Sequence, residues 1–113
     1  DKVQMRHLFQ NLITNAIKYR KPEVPCRVVV GGSLPPRSTF VEFQIADNGI
    51  GFDEKYLDRI FLPFQRLHTR EEYSGTGIGL AICKKIVDRH GGIITARSEP
   101  GRGATFVVTL PAV

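Results

Sequence analysis

Two asparagines and a lysine are spaced along the first helical pattern of the sequence so that all share one edge. Asn11 and Asn15 are four residues apart, and Lys18 follows one turn later with Tyr19 beside it. Residues three or four apart are neighbours on a helix surface. Carboxamide oxygens can ligate a hard cation such as Mg²⁺, and a lysine can contact a phosphate as a point charge. The alternative interpretation is a solvated helix face, because such residues are mostly exposed.

A carboxylate stands at the end of an alternating strand pattern. Apolar and polar residues alternate over residues 40–47, and Asp47 falls on the apolar side. An ionised carboxylate only accepts hydrogen bonds, so it can accept from the exocyclic amine of adenine and discriminate against guanine, which carries a carbonyl there. Gly49 and Gly51 follow, and they let the backbone approach a flat ligand closely. Asp-Asn-Gly is equally typical of a turn that binds nothing.

A glycine-rich segment, Gly75-Thr76-Gly77-Ile78-Gly79-Leu80, opens the last helical pattern. It offers free N–H groups and the positive end of a helix dipole to phosphate. It is not a P-loop, because the Gly-Lys-Ser/Thr ending is absent, and it does not follow a strand as the dinucleotide-binding motif does. Residues 61–74 have the length of a mobile cover, with Phe61 and Phe64 as anchors. The alternative is an ordinary surface connection whose two phenylalanines fill the core.

Hydrophobic periodicity predicts the elements that position these residues. We expect helices at 2–19, 53–60 and 77–90, and strands at 26–30, 40–47, 93–98 and 104–110. Asp53 is the expected N-cap of the short helix, and Gly91 and Gly92 are expected to end the last one. Strands in hairpin-like pairs with helices between them indicate an α+β two-layer sandwich, with three helices on one face of a mixed, mostly antiparallel sheet. The apolar face of the first helix is predicted to contain Met5, Leu8, Phe9, Leu12, Ile13, Ala16 and Ile17.

Length and composition restrict the class of protein. The chain has 113 residues, which suit one domain over residues 1–113, and its 42% hydrophobic and 24% charged residues argue against a disordered chain. No apolar run reaches the about 18 residues of a membrane span, so no membrane insertion is expected. The net charge of +5 favours anionic partners. Nucleic acid is not an expected partner, because the basic residues are spread without interleaved aromatics, although a basic nucleic-acid binder is the simplest alternative interpretation of the charge.

Histidine and cysteine give no sign of a metal centre or a nucleophile. His7, His68 and His90 lie in separate segments, so neither a metal cluster nor a Ser-His-Asp arrangement is indicated. Cys26 and Cys83 are too few for a zinc site or a disulfide framework. Both cysteines are therefore expected to be small core residues.

Three motifs occur in a fixed order along the chain: Asn-Leu-Ile-Thr-Asn-Ala-Ile-Lys-Tyr, Asp-Asn-Gly-Ile-Gly-Phe and Gly-Thr-Gly-Ile-Gly-Leu. They resemble the N, G1 and G2 boxes of sensor histidine kinases, and Phe61-Leu62-Pro63-Phe64 resembles the F box. The resemblance covers nearly the whole chain and ends in Gly103-Ala104-Thr105-Phe106. It implies a Bergerat-type ATP-binding domain of the GHKL superfamily, with the family's first strand missing from this chain. The chain is thus expected to be a fragment of a longer sensor kinase.

The resemblance also implies roles for individual residues. Asn15 would be the principal Mg²⁺ ligand with Asn11 as its helper, and Lys18 would contact phosphate. Asp47 would bind the adenine amine, with Thr105 assisting through water and Tyr19 beside the ring. The glycines that would shape the pocket and the lid hinge are Gly49, Gly51, Gly75, Gly77 and Gly79. Further implied nucleotide contacts are Phe64, Leu80, Arg66 and Arg70.

One departure from the wider superfamily bears on the reaction. Its hydrolysing members place a glutamate one turn before the metal-binding asparagine, where it activates water. Here that position is Asn11, which cannot take a proton at neutral pH. The resemblance therefore implies transfer of the γ-phosphate of ATP to a histidine on a separate dimerisation domain of the same protein, which in turn serves a response regulator. A cytoplasmic location is implied, with a parent protein that is either soluble or membrane-anchored.

Two alternatives stay open beside this function. A nucleotide-sensing pseudokinase module would bind ATP only to control docking, and a GHKL-type ATP hydrolase would release phosphate steadily without a partner.

Overall fold

The computed structural model describes residues 2–33, 39–57, 59–61 and 79–111. In chain order its elements are α1 (Lys2–Lys18), β1 (Val28–Ser33), β2 (Phe40–Asp47), a 3₁₀ turn (Glu54–Tyr56), α2 (Gly79–Arg89), β3 (Ile93–Ser98) and β4 (Ala104–Pro111). The predicted α+β fold, with helices layered on a sheet, is confirmed.

Helix α1 forms because its segment lacks Pro and Gly and has apolar residues spaced to bury one side. The buried residues are Leu8, Leu12 and Ala16. The predicted apolar face was too broad, because Ile17 is 45% exposed. Ile17 directly follows the buried Ala16, and because neighbouring residues on a helix lie about 100° apart, it points away from the buried side. The helix ends at Lys18, and the N–H of Tyr19 still donates to the carbonyl oxygen of Asn15 at 3.2 Å.

The four described strands form one antiparallel sheet in the order β1-β2-β4-β3. Strand β2 lies between β1 and β4, with Ala46 opposite Thr105. Strand β4 also pairs with β3, with Ser98 opposite Ala104. This register brings the end of β2, the start of β4 and the end of β3 to one end of the sheet, where Asp47 lies.

Strand β1 begins at Val28, later than the predicted residue 26. The preceding segment is held by Asn48, whose Oδ1 accepts from the N–H of Arg27 at 2.8 Å and whose Nδ2 donates to the carbonyl oxygen of Pro25 at 3.0 Å. The backbone N–H of Asn48 also donates to the carbonyl oxygen of Arg27 at 3.2 Å, so side-chain and backbone bonds of Asn48 together hold this segment. Cys26 was predicted to be a core residue and is exposed instead.

The core lies between the helices and one face of the sheet. Residues of β3 and β4 alternate between buried and more exposed positions, as a sheet covered on one face requires. Helix α2 contributes Cys83, which is buried as predicted. The buried apolar residues of the sheet are Ile45, Ile94, Ala96, Ala104, Phe106, Val108 and Leu110.

The predicted capping residues are found at the ends of the short elements. Asp53 accepts a hydrogen bond from the N–H of Lys55 at 3.0 Å, as an N-cap does, but the helix it opens is a single 3₁₀ turn over Glu54–Tyr56. The predicted helix to residue 60 was too long. Helix α2 ends at Arg89, shortly before Gly91, which has a φ of 72°, and the N–H of Gly92 donates to the carbonyl oxygen of Val87 at 3.0 Å. Among the described helices, none is both long and apolar enough to cross a membrane.

Candidate functional site

Asp47 ends β2 and has one carboxylate oxygen fixed by backbone donors. Its Oδ1 accepts from the N–H of Gly49 at 2.8 Å and from the N–H of Ala104 at 3.3 Å. Asp47 is half-buried and lies two residues after the buried Ile45, on the same face of β2, as the predicted alternation requires. Burial raises the pKa of this carboxyl above its ordinary value of 3.8, and the two backbone hydrogen bonds oppose that rise.

The second oxygen of Asp47 is not used in this way. Within the described ranges, no hydrogen bond to Oδ2 is observed. An ionised carboxylate has acceptor sites on both oxygens. Oδ1 therefore binds the backbone of the protein, while Oδ2 remains an acceptor for another donor. The geometry suits recognition of a donor, such as an amine, at the end of the sheet.

The three predicted polar residues of α1 are half-buried along its edge. Asn11 donates from Nδ2 to the carbonyl oxygen of His7 at 3.0 Å, so its amide oxygen stays an acceptor. The Asn15 side chain makes no hydrogen bond to the part of the chain that the structure describes. Lys18 Nζ lies 5.1 Å from the centroid of the Tyr19 ring, within cation–π range. This edge of α1 therefore carries two side-chain amide oxygens and one lysine ammonium group.

The end of α1 is in direct contact with the Asp47 loop, defined as residues 47–52. The N–H of Ile50 donates to the carbonyl oxygen of Tyr19 at 3.0 Å. Gly49 lies so close to this carbonyl that an added Cβ would come within 2.5 Å of the oxygen. Only glycine allows that approach. The structure thus brings the Asp47 loop against the C-terminal end of the helix that carries Asn15.

The β3–β4 turn, residues 99–103, covers the Asp47 loop from the other side. The N–H of Gly101 donates to the carbonyl oxygen of Ile50 at 2.7 Å, and Lys21 Nζ donates to the carbonyl oxygen of Gly101. Gly51 has a φ of 67°, and a Cβ there would overlap the carbonyl oxygen of Glu99. The C-terminal end of α1 and the β3–β4 turn therefore meet around the Asp47 loop.

Sequence reasoning missed three residues that organise this region: Lys21, Asn48 and Ser98. Ser98 accepts at Oγ from the N–H of Phe52 at 2.8 Å and donates to the carbonyl oxygen of Gly103 at 2.7 Å. Asn48 was seen only as part of a turn signal. These contacts join residues far apart in the chain, so local periodicity carries no sign of them.

Thr105 was predicted to assist Asp47, but the structure does not bring its side chain to this carboxylate. Thr105 alternates with the buried Ala104 and Phe106, so its side chain belongs to the opposite face of the sheet. The backbone N–H of Ala104 makes the contact to the carboxylate instead. Leu80 is partly buried and packs against the core. Gly79 is the first residue of α2.

Several predicted residues lie outside the described residues. They are Phe64, Arg66, Arg70, Gly75 and Gly77.

The donor chemistry bears on whether the region suits a cation. In the described part of the chain, no group of three or more His, Cys, Asp and Glu side chains is arranged to hold a metal ion. The candidates are the amide oxygens of Asn15 and Asn11. Mg²⁺ keeps several waters and is bound through one or two protein ligands plus substrate phosphates. These residues therefore fit a cation that arrives with a phosphate ligand.

Comparison with known proteins identifies the family. Residues 1–113 match the family described as histidine kinase-, DNA gyrase B- and HSP90-like ATPases. Cyanobacterial phytochrome A of Nostoc sp. (strain PCC 7120) is 53% identical over 96% of this chain and 14% of its own length. Phytochrome-like protein Cph1 of Synechocystis sp. (strain PCC 6803) is 47% identical over 98% of this chain and also 14% of its own length. The chain thus corresponds to a small part of these relatives.

Solved structures show the same fold. The mycobacterial sensor histidine kinase MprB superposes with a TM-score of 0.82 at 27% identity, over 98% of this chain and 72% of that chain. Full-length ShkA in complex with AMPPNP superposes with a TM-score of 0.79 at 30% identity, over 96% of this chain and 21% of that chain. With a family match over residues 1–113 and this agreement in fold, the chain belongs to the histidine kinase-, DNA gyrase B- and HSP90-like ATPase family, as an ATP-binding catalytic domain of the sensor histidine kinase type.

Proposed function

We propose that this domain binds Mg-ATP and transfers the γ-phosphate to a histidine on a separate dimerisation domain of the same protein, in two-component signalling. The observation that carries the proposal is the contact between the Tyr19 carbonyl oxygen and the N–H of Ile50 at 3.0 Å. It joins the amide edge of α1 to the Asp47 loop. One nucleotide can therefore meet both an acceptor for its base and oxygen ligands for its cation.

At the base end, Asp47 would accept from the exocyclic amine of adenine. The fixed Oδ1 leaves Oδ2 as an acceptor, and guanine offers a carbonyl oxygen at that position, which a carboxylate repels. Gly49 and Gly51 keep side chains out of the space around the loop. Tyr19 lies beside this end of the site because its carbonyl touches the loop.

At the phosphate end, Asn15 and Asn11 would hold the cation and Lys18 would contact the phosphates. When bound, Mg²⁺ supplies charge neutralisation at the phosphate oxygens. Phosphoryl transfer needs little covalent chemistry from the protein, so these residues act by positioning the γ-phosphate and stabilising its charge. The γ-phosphoryl group leaves the β-phosphate oxygen of ATP and bonds to the nitrogen of the acceptor histidine.

Water should compete poorly with the acceptor histidine for the γ-phosphate, because α1 provides no carboxylate general base to activate it. Residues 2–18 contain no Asp or Glu, and Asn11 occupies the position of the hydrolysing relatives' glutamate. An asparagine amide cannot serve as a general base at neutral pH. This favours transfer over hydrolysis as the main reaction.

The partners follow from the same chemistry. The phosphoacceptor histidine would lie on the dimerisation domain, because His7, His68 and His90 are scattered and none sits in a motif resembling the family's acceptor. A response regulator would then receive the phosphate from that domain. We expect this to take place in the cytoplasm, without nucleic acid as a partner.

The test is transfer of label from γ-labelled ATP to the dimerisation domain of the parent protein, mixed with this chain. We expect acid-labile label on that domain in the presence of Mg²⁺, and loss of at least 90% of the rate with Asn15→Ala. Thr14→Ala is the matched control, because Thr14 is the exposed neighbour on the same helix.

Three results would reject the proposal in different ways. ATP binding without transfer would favour the pseudokinase alternative, and steady phosphate release by the chain alone would favour the hydrolase. Unchanged transfer by Asn15→Ala would reject the metal role of this residue.

A further inference from the structure

Ser98 is the one buried residue with a polar side chain in the described part of the chain, with an exposed fraction of 8%. Its hydroxyl is satisfied on both sides, accepting from the N–H of Phe52 at 2.8 Å and donating to the carbonyl oxygen of Gly103 at 2.7 Å. Its own N–H donates to Glu54 Oε2 at 3.0 Å. A buried polar group with this many partners fixes the spacing of the segments that it joins.

Both partners of the hydroxyl lie within three residues of a group that holds the Asp47 carboxylate. Phe52 closes the loop that contains Gly49, and Gly103 directly precedes Ala104. The N–H groups of Gly49 and Ala104 are the two donors to Asp47 Oδ1. The hydroxyl is therefore a cross-link between the two backbone segments that orient the carboxylate.

The two segments also touch directly, which makes their spacing sensitive. A Cβ on Gly103 would overlap the carbonyl oxygen of Asp47, and a Cβ on Gly51 would come within 3.0 Å of the Ser98 Oγ. At 3.3 Å, the bond from Ala104 to Asp47 is longer than the common hydrogen-bond distance. A small separation of the segments would break this bond first and let the carboxylate turn.

We propose that Ser98 is a positioning residue for nucleotide binding, which acts by holding the Asp47 loop against the start of β4. This inference rests on the proposed contact between Asp47 and adenine. Ser98 does not touch the nucleotide in this account. Its effect on ATP affinity is transmitted through the orientation of Asp47.

The test is a double-mutant cycle in ATP binding, measured by calorimetry on the parent chain, Ser98→Ala, Asp47→Asn and the double variant. We expect Ser98→Ala to weaken ATP binding about tenfold, equal to about 1.4 kcal/mol. Because Ser98 acts through Asp47, adding Ser98→Ala to Asp47→Asn should change the affinity by less than about twofold.

Matched variants separate this role from a loss of folding. Thr95→Ala removes a hydroxyl from an exposed position of the same strand and should bind ATP like the parent. Ser98→Thr keeps the hydroxyl and should restore binding. If Ser98→Ala does not give a cooperative thermal transition, Ser98→Cys replaces it, since a thiol is similar in shape and only weakly hydrogen-bonding.

The outcomes distinguish the two proposals. Parent-like binding by folded Ser98→Ala, or the same fold-loss in both backgrounds of Asp47, would overturn the role of Ser98 alone. Parent-like binding by Asp47→Asn would overturn the adenine contact and, with it, the inference that rests on it.

Discussion

Replacing Asp47 by Asn separates the two uses of this carboxylate. The amide oxygen can still accept from the N–H groups of Gly49 and Ala104, so the contacts that hold the loop are kept. The amide nitrogen takes the place of Oδ2 and presents donors where the carboxylate presented an acceptor. The fold should tolerate the change, because burial already disfavours the charged form of Asp47, as its raised pKa indicates.

The loss of affinity can be worked from this geometry. A hydrogen bond to a charged acceptor contributes about 1.5–3 kcal/mol, and the variant replaces it by two opposed donors. The dissociation constant for ATP should therefore rise by a factor of about 10 to 150. Calorimetric titration with ATP gives this constant directly, and thermal unfolding of the same sample shows whether the protein is intact.

Asp53→Asn is the matched control for this substitution. Among the described contacts, the Asp53 side chain accepts only from the N–H of Lys55, and Asn is an equally good N-cap residue. The control should bind ATP like the parent. An Asp47→Asn protein that is folded and binds ATP within twofold of the parent would refute the reasoning, because the second oxygen would then have no ligand to recognise.

Three further predictions concern stability. Because the pKa of Asp47 is raised in the folded protein, the native state holds a proton there at pH values where the unfolded chain has lost it. The contribution of Asp47 to the free energy of unfolding should therefore fall as the pH rises from 3.8 through the raised pKa. Urea unfolding across this range should show this fall in the parent protein and not in Asp47→Asn. Gly51→Ala and Gly101→Ala both place a side chain at positive φ, but only the Cβ at position 51 would overlap a backbone oxygen. Gly101→Ala should lower the free energy of unfolding by about 1–2 kcal/mol, and Gly51→Ala should lower it clearly more. Equal losses would contradict the close approach of the backbone to Gly51. Leu12→Ala, at a position 1% exposed, should lose about 2–5 kcal/mol of unfolding free energy, whereas Val3→Ala, at 77% exposed, should change it by less than about 0.5 kcal/mol, both measured by urea denaturation.

Structural features that depend on one local sequence pattern could be predicted from the sequence alone. Alternation over residues 40–47 predicted the inward side for Asp47, and turn chemistry predicted the cap at Asp53 and the termination of α2 before Gly91. These features depend on neighbours within a few residues. The same is true of the helix edge with Asn11 and Asn15, whose functional roles stay predictions.

Local patterns failed where distant segments compete for the same backbone groups. The start of β1 is set by Asn48, which lies 21 residues beyond Arg27. Ile17 was assigned to the apolar face because its residue type fits, yet nothing in the sequence shows where the covering layer ends. In the sequence, Ser98 is an ordinary strand residue. Its role becomes visible only in the folded structure, where Gly103 and Phe52 lie within hydrogen-bond distance of its hydroxyl.

The base end and the phosphate end of the proposed site are built from different kinds of groups. Around the Asp47 loop, many of the described contacts join backbone amides and carbonyls, with glycine where the chains touch. Such contacts do not depend on side-chain rotamers, so this end is formed before a ligand binds and little ordering is required on binding. The phosphate end consists of side chains on α1, and a side chain there can change without moving the loop. We therefore expect Asn11→Glu to alter the fate of the γ-phosphate in the proposed reaction while leaving the proposed adenine recognition intact.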